Sequence, residues 1–453
     1  MQSTLGFYGG AGTVTGANFM LDTGKVAILV DCGLEQSGKF SVERNASPFA
    51  YDPSHIDVLL VTHAHADHIG RIPKLVRDGF KGVIYSTSAT FELSKVMLED
   101  ALKVMQNEAR LFGKEAIYKE ADIHNSFRLW KTVEYGEQID LPDGIKAWFS
   151  NAGHILGSGI VHLEREGRKI VFSGDIGNVP QPLLSAPTIP QDYDYLVMES
   201  VYGDRLHEEV EERVALLRYY LEETEKKDGT LIIPAFSLER TQGILFEINN
   251  LVETKKIKPI SIFLDSPLAI NVTNIYRNFT SYLRPEIQEQ IRKGDDIFSF
   301  PGLKFTDTVK ESEAINRHKG AKVIIAGSGM SHGGRIVRHE KMYLSNPDTT
   351  LLLVGYQAVG SLGRLLQDGA KNVVIDREKV KVRAKIAQIQ GFSGHADRDQ
   401  LLNFVAHGGE KAKKIFVTMG EERASLFLAQ RIHDYLDLQT VVPVLNQEIK
   451  IDF

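Results

Sequence analysis

Residues 61–70 read "VTHAHADHIG" and place His63, His65, Asp67 and His68 within six consecutive positions of a chain that has 14 histidines in 453 residues. The cluster closes the apolar, β-branched run "IDVLLVTH" (56–63), which reads as a buried strand. His63 and His65 are two apart, so in extended backbone they project to one face. A loop behind a strand can hold such side chains rigidly over a sheet edge. "ADHIGRIPKLV" behind them suits the start of a helix. Imidazoles beside carboxylates are the donors a borderline cation such as zinc prefers. A second carboxylate-rich set would let two metals share ligands about 3.5–4 Å apart. A merely polar, solvated loop would account for one histidine but not for H-x-H-x-D-H placed directly behind a strand.

The rest of the chain is ordinary for a globular protein, with 43% hydrophobic and 25% charged residues, and its length suggests two or three domains. Such a chain buries a large core without staples. The single cysteine, Cys32, excludes an intrachain disulfide and a cysteine-built metal site, and fits a reducing cytoplasm. The N-terminus lacks a basic region followed by an apolar run, so no signal peptide is expected. No stretch approaches the length of a membrane span. A net charge of −6 argues against a basic coat for nucleic acid but leaves room for a local basic groove.

Strand-like runs dominate the first 80 residues, beginning with "KVAILVDCG" (25–33), and a helix is predicted over 89–112. Strands return in "IKAWFSNAGH" (145–154), "RKIVFSGDIG" (168–177) and "YDYLVMESVYGD" (193–204). From 207 the texture changes. Apolar strands ("TLIIPAF", "ISIFLDSPLA", "KVIIAGSGM", "TLLLVGYQ") alternate with amphipathic stretches such as 208–226 and 238–253, the pattern of a parallel sheet. After 370 the β-like runs "KNVVI", "KVKVRAKIAQI", "KKIFVTMG" and "TVVPVL" return, with helices near 397–406 and 422–436. One α/β unit is therefore read as inserted into another, with 1–206 and 368–453 forming the first and 207–367 the second.

The H-x-H-x-D-H motif resembles the hallmark of the metallo-β-lactamase fold, an αββα sandwich, and further residues follow in that family's order. Asp31 in "ILVD" is similar to its first aspartate, which orients a histidine. His154 in "NAGHILGSG" matches its third-motif histidine, and Asp175 in "FSGDIG" its metal-bridging aspartate. "MESVYGDR", "PAFSLERTQ", "DSPLA", "GSGM", "VGYQAVGSLGR" and "GFSGHAD" resemble the β-CASP nucleases, a branch of bacterial and archaeal RNA-processing enzymes that includes the nuclease subunit of the eukaryotic pre-mRNA 3′-end machinery. The likeness covers essentially the whole chain. It implies an inserted β-CASP α/β domain that caps the metal site and leaves an RNA cleft. No further RNA-binding domain is expected ahead of a fold that begins almost at Met1.

By that resemblance His63, His65 and His154 hold one zinc, Asp67 and His68 contribute to a second, and Asp175 bridges. His395 matches the general acid, oriented by the carboxylate of Glu199; a histidine at that position goes with RNA rather than DNA in the family. Arg240, Arg364 and the glycine-rich "GSGMSHGGR" with Ser328, Gly329, Met330 and His332 are candidate phosphate contacts. His207, His339 and His433 read as surface residues. One position departs from the family: in "FVTMGEE" Met419 stands where a zinc-binding histidine belongs. A thioether is a poor substitute beside carboxylates, so the second zinc is expected to bind more weakly.

The leading expectation is a cytoplasmic zinc-dependent ribonuclease cutting single-stranded RNA by a two-metal mechanism, as an endonuclease and also from the 5′ end. The alternative is a weakened or inactive RNA-binding scaffold. A small-molecule hydrolase is disfavoured by the β-CASP-like insertion. Oligomeric state is left open, a homodimer included.

Overall fold

A computed structural model describes residues 2–36, 41–112, 115–331, 333–355, 357 and 360–453. Two compact units emerge. The first comprises Met1–Val179, Ser185–Leu206 and His395–Phe453, and the second Pro180–Leu184 and His207–Gly394.

The first unit is built on two seven-stranded sheets. One runs Gln447–Asp452, Gln2–Gly9, Asn18–Asp22, Ala27–Val30, Val58–Leu60, Val83–Thr87, Trp130–Val133. Its first four strands are antiparallel neighbours and the remainder parallel. The other runs Thr440–Val441, Lys414–Val417, Tyr195–Met198, Arg168–Phe172, Gly159–Arg165, Lys146–Asn151, Ile139–Asp140. Alternate side chains from both sheets meet in one core, with Leu5, Phe7, Ile28 and Leu60 packed among Phe149, Val161, Phe172 and Phe416. The far face of the second sheet is covered by helices Arg398–Ala406 and Glu422–Leu436 through Leu401, Phe404, Leu428 and Ile432. This is the expected αββα sandwich.

The strand "TVVPVL" survives only as Thr440–Val441, because Pro443 has no N–H to continue a ladder. The C-terminal strand Gln447–Asp452 pairs antiparallel with Gln2–Gly9 and forms one edge of the sheet.

In the second unit six strands are all parallel, in the order Leu303–Phe305, Ser261–Leu264, Lys322–Ala326, Thr230–Pro234, Thr349–Leu353, Lys385–Gln388. The last strand pairs with Thr349–Leu353, and the hairpin Asn372–Ile375/Glu378–Lys381 packs Val373, Ile375 and Val380 into this unit's core. The stretch 368–394, expected to return to the first unit, therefore belongs to the inserted one. A sheet edge recruits any compatible strand, and the run "KVKVRAKIAQI" does not specify which edge it meets.

Candidate metal centre

Six of the first-unit residues singled out above sit just beyond the C-terminal ends of strands. Asp31 follows Ala27–Val30, His63 follows Val58–Leu60, His154 follows Lys146–Asn151, Asp175 follows Arg168–Phe172, Glu199 follows Tyr195–Met198, and Met419 follows Lys414–Val417. Strands end where the chain leaves the ladder, so their last residues are free to turn side chains toward one another at the sheet edge. The histidine loop is clamped by backbone: Ala17 N–H donates to the Asp67 carbonyl at 2.8 Å and Cys32 N–H to the His68 carbonyl at 2.8 Å. Gly33 approaches so closely that a Cβ there would overlap the Asp67 carbonyl. Gly33→Ala is therefore expected to lower stability by about 2 kcal/mol, an overpacking cost, and to weaken zinc binding by displacing the loop. Urea unfolding and a zinc titration check both effects.

His63, His65, His154 and Asp175 bring one donor atom each into a single cluster. His63 Nε2 lies 3.1 Å from His65 Nδ1, which lies 3.2 Å from His154 Nε2. Asp175 Oδ2 is 3.4 Å from His63 Nε2 and 3.5 Å from His154 Nε2. Four donors placed about 2.0–2.1 Å from a tetrahedral centre are roughly 3.3 Å apart, so the observed edges fit zinc. Burial, reinforced by His68 at His63 and by His154 at His65, holds the imidazole pKa values of both well below the ordinary range. That shift favours the neutral form in which an imidazole binds metal.

His68 is oriented from behind. Asp31, in the left-handed region at φ 61°, accepts from Thr62 N–H at 2.8 Å and Thr62 Oγ at 2.7 Å, and its Oδ2 lies 2.7 Å from His68 Nδ1. That turns His68 Nε2 toward Asp175 Oδ1 at 3.3 Å. Both of these buried atoms lack a hydrogen-bond partner among the described residues, which marks a place for a cation. Burial opposes charge on His68, but Asp175 and Asp31 outweigh it and raise its pKa well above the usual value. Asp175 is likewise held low against its burial by His68 and His63. Asp67 is pushed up to about 6, chiefly by burial.

A second cluster consists of Asp175, Glu199 and His395. His395 Nδ1 lies 3.1 Å from Glu199 Oε1 and 3.9 Å from Asp175 Oδ2. Glu199 Oε1 also accepts from Ile176 N–H at 2.7 Å, and Ala396 N–H donates to the Ile176 carbonyl at 2.7 Å. Burial works against protonation of His395, yet the carboxylates of Glu199 and Asp175 lift its pKa to about 9. Asp175 belongs to both clusters. Of the expected second set of Asp67, His68 and Asp175, His68 Nε2 and Asp175 Oδ1 face each other at 3.3 Å, while Glu199 and His395 form a separate group with Asp175.

Comparison with known families and proteins agrees with this geometry. Residues 12–209 match the metallo-beta-lactamase superfamily, 241–366 the Beta-Casp domain, and 379–443 the Zn-dependent metallo-hydrolase RNA specificity domain. Ribonuclease TTHA0252 of Thermus thermophilus is 38% identical over 93% of this chain and 94% of its own. An RNase J-like protein of Methanocaldococcus jannaschii is 34% identical over 97% and 98% respectively. The transcription termination factor FttA of Methanosarcina mazei is 29% identical over 95% of this chain and 69% of its own. The chain belongs to the metallo-β-lactamase/β-CASP family. A crystal structure of an Enterococcus faecalis protein of unknown function shares the fold alone, with a TM-score of 0.59, 12% identity and full coverage of both chains.

In this β-CASP protein the two His/Asp-rich clusters are those of a two-zinc phosphodiesterase site typical of the family's nucleases, and the chain is a metal-dependent hydrolase. No helix among the described residues is long and apolar enough to cross a membrane.

Met419 is buried in the sandwich core with φ 46°. Its N–H donates to the Gly10 carbonyl at 2.7 Å, and its sulfur fills the space that a Cβ on Gly10 would occupy. It lines a small void together with Asp31, Thr62, His68 and Glu199.

The second-unit motifs gather at the C-terminal ends of that unit's parallel strands, where such sheets place ligands. Ser328 N–H donates to the Gly333 carbonyl at 3.2 Å, and the Gly329 carbonyl accepts from Gln357 Nε2 at 3.0 Å. The Met330 carbonyl accepts from Gly363 N–H at 3.4 Å. Arg240, expected at phosphate, is buried and donates to the Val354 carbonyl. Arg364 is held by Asp368 at 3.0 Å. His332 lies outside the described residues. His339, expected at the surface, is buried with Nε2 2.7 Å from Asp265 Oδ2.

Sequence reading missed Asp265. It accepts from Thr306 Oγ, Ser312 Oγ, Arg335 and His339. The quoted "DSPLA" motif was its only available signal.

Proposed function

We propose that this protein is a ribonuclease that hydrolyses single-stranded RNA, with His63, His65, His154 and Asp175 holding the first zinc and His68, Asp67 and Asp175 serving the second. The closeness of four donor atoms at tetrahedral spacing carries the metal reading. The relatives named ribonuclease and RNase J-like, and the match to an RNA specificity domain, support RNA as substrate. When bound, the cations supply Lewis acidity toward a phosphodiester oxygen and acidify an attacking water. The chain's own residues do the rest. Asp31 fixes the ring of His68 so that Nε2 faces Asp175. Glu199 anchors His395 through Nδ1, and His395 delivers a proton to the leaving ribose oxygen from Nε2. A proton donor in a buried, carboxylate-flanked setting stays charged until the leaving oxygen needs it.

A second reading rests on Met419, whose thioether stands where the family places an imidazole. There the protein would be a weakened, RNA-binding member. Zinc content per chain and cleavage of end-labelled RNA, measured for the natural protein and for Met419→His, separate the two. The nuclease reading predicts metal-dependent cutting by the natural protein, with a modest gain in second-site zinc affinity for Met419→His. Cutting that is absent from the natural protein and restored by Met419→His would establish the weakened member instead.

A further inference from the structure

The segment "REKVKVRAK" (377–385) carries a basic residue at every second position: Arg377, Lys379, Lys381, Arg383 and Lys385. All five are exposed, while Val380 and Ala384 between them are buried. The alternation thus turns the apolar side chains into the core of the second unit and the charges outward. Across the hairpin, Lys379 faces Val374 and Lys381 faces Asn372, neither of which bears charge. The two nearby acids do not neutralise the strip. Lys341 lies 2.8 Å from Glu378 and 3.9 Å from Asp376, drawing both toward itself. Among the described residues no carboxylate pairs with Lys379, Lys381 or Arg383. At the end of the run Lys385 lies 5.2 Å from the ring centre of Tyr219 and 4.9 Å from that of Tyr220, and Tyr219 is 46% exposed.

Lysines on outward strand faces also discourage edge-to-edge pairing. That purpose is met by one or two charges and needs no exposed aromatic. Here Lys379, Lys381 and Arg383 stand without a carboxylate partner among the described residues on a chain whose net charge is −6. Lys379 and Lys381 share the strand Glu378–Lys381, where two residues advance about 6.7 Å, close to the separation of successive phosphates along an extended single strand; Arg383 and Lys385 follow on either side of a bend at Ala384. A cation ladder ending on an exposed ring is the combination that binds single-stranded nucleic acid, with charge for the backbone and a face for a base.

We infer that Lys379, Lys381, Arg383 and Lys385 form a phosphate-tracking strip for single-stranded RNA, with Tyr219 as a stacking face at its end. This rests on the RNA reading above and assigns residues outside the metal centre to it.

The test is the triple variant Lys379→Ala/Lys381→Ala/Arg383→Ala in the full-length protein. These side chains are exposed, so the fold is expected to hold, as checked by circular dichroism. The probe is an oligouridylate with cleavage-resistant phosphorothioate linkages, bound at several salt concentrations. Binding is expected to weaken roughly tenfold or more, with the log–log salt slope shallower by about 2, since each single-strand phosphate contact contributes about 0.7. Hydrolysis of the small diester bis(p-nitrophenyl) phosphate should stay unchanged. Unchanged affinity and slope, in a protein that still binds and cuts RNA, would overturn the strip while leaving the ribonuclease reading intact. Lost affinity for polyglutamate with RNA binding retained would overturn it in favour of an acidic protein partner. Natural protein that cleaves the small diester but neither binds nor cuts RNA would remove the RNA reading itself, and the strip with it.

Discussion

Asp175→Ala is expected to cut RNA cleavage by roughly a thousandfold or more and to strip both zinc ions from the protein. Its two carboxylate oxygens face different partners: Oδ2 lies toward His63 and His154, and Oδ1 toward His68. Among the described residues no other carboxylate belongs to both clusters. Removing it takes the only carboxylate from the His63/His65/His154 donor group and leaves the cation with neutral imidazoles alone. The loss of electrostatic stabilisation at the reacting phosphate then exceeds that of a single hydrogen-bond donor, which is itself worth about 10²–10³. Asp175→Asn keeps the volume while removing the charge, so the same loss with an unchanged unfolding midpoint would locate the effect in metal binding rather than folding. Zinc per chain and cleavage rate are the readouts. Two zinc ions retained in either variant would contradict the assignment.

His395→Ala is expected to lower kcat by about 10²–10⁴, the range for a deleted general acid, with zinc content unchanged. The geometry makes this informative, because His395 sits in a cluster with Asp175 and Glu199 that has the spacing of a metal site. If His395 is a ligand, zinc content falls along with the rate. If it is an acid, the metal stays and the defect shrinks on a substrate whose leaving group needs no proton, such as a p-nitrophenyl ester. Glu199→Gln should give a smaller loss, since the ring keeps a partner of the same shape.

The metal centre was legible because its signal is local. H-x-H-x-D-H sits in one short stretch, and Asp31, His154 and Asp175 each follow a recognisable apolar strand, so packing the two sheets face to face brings their strand ends together. Positions whose meaning depends on distant partners were not legible. His339 looks like any polar helix residue until Asp265, 74 residues earlier, is placed against it. Arg240 resembles a phosphate contact until its guanidinium is seen turned inward to the Val354 carbonyl. The run 379–388 showed its alternation but not which sheet edge it would join. The pairing of Gln447–Asp452 with Gln2–Gly9 spans nearly the whole chain and leaves no trace in either strand's composition.

Zinc-edge anomalous diffraction from crystals of the natural protein tests the central claim most directly. A peak about 2.0–2.2 Å from His63 Nε2, His65 Nδ1, His154 Nε2 and a carboxylate oxygen of Asp175 is the predicted result. Crystals grown with zinc that show no density there, or that show these four side chains pointing apart, would contradict it.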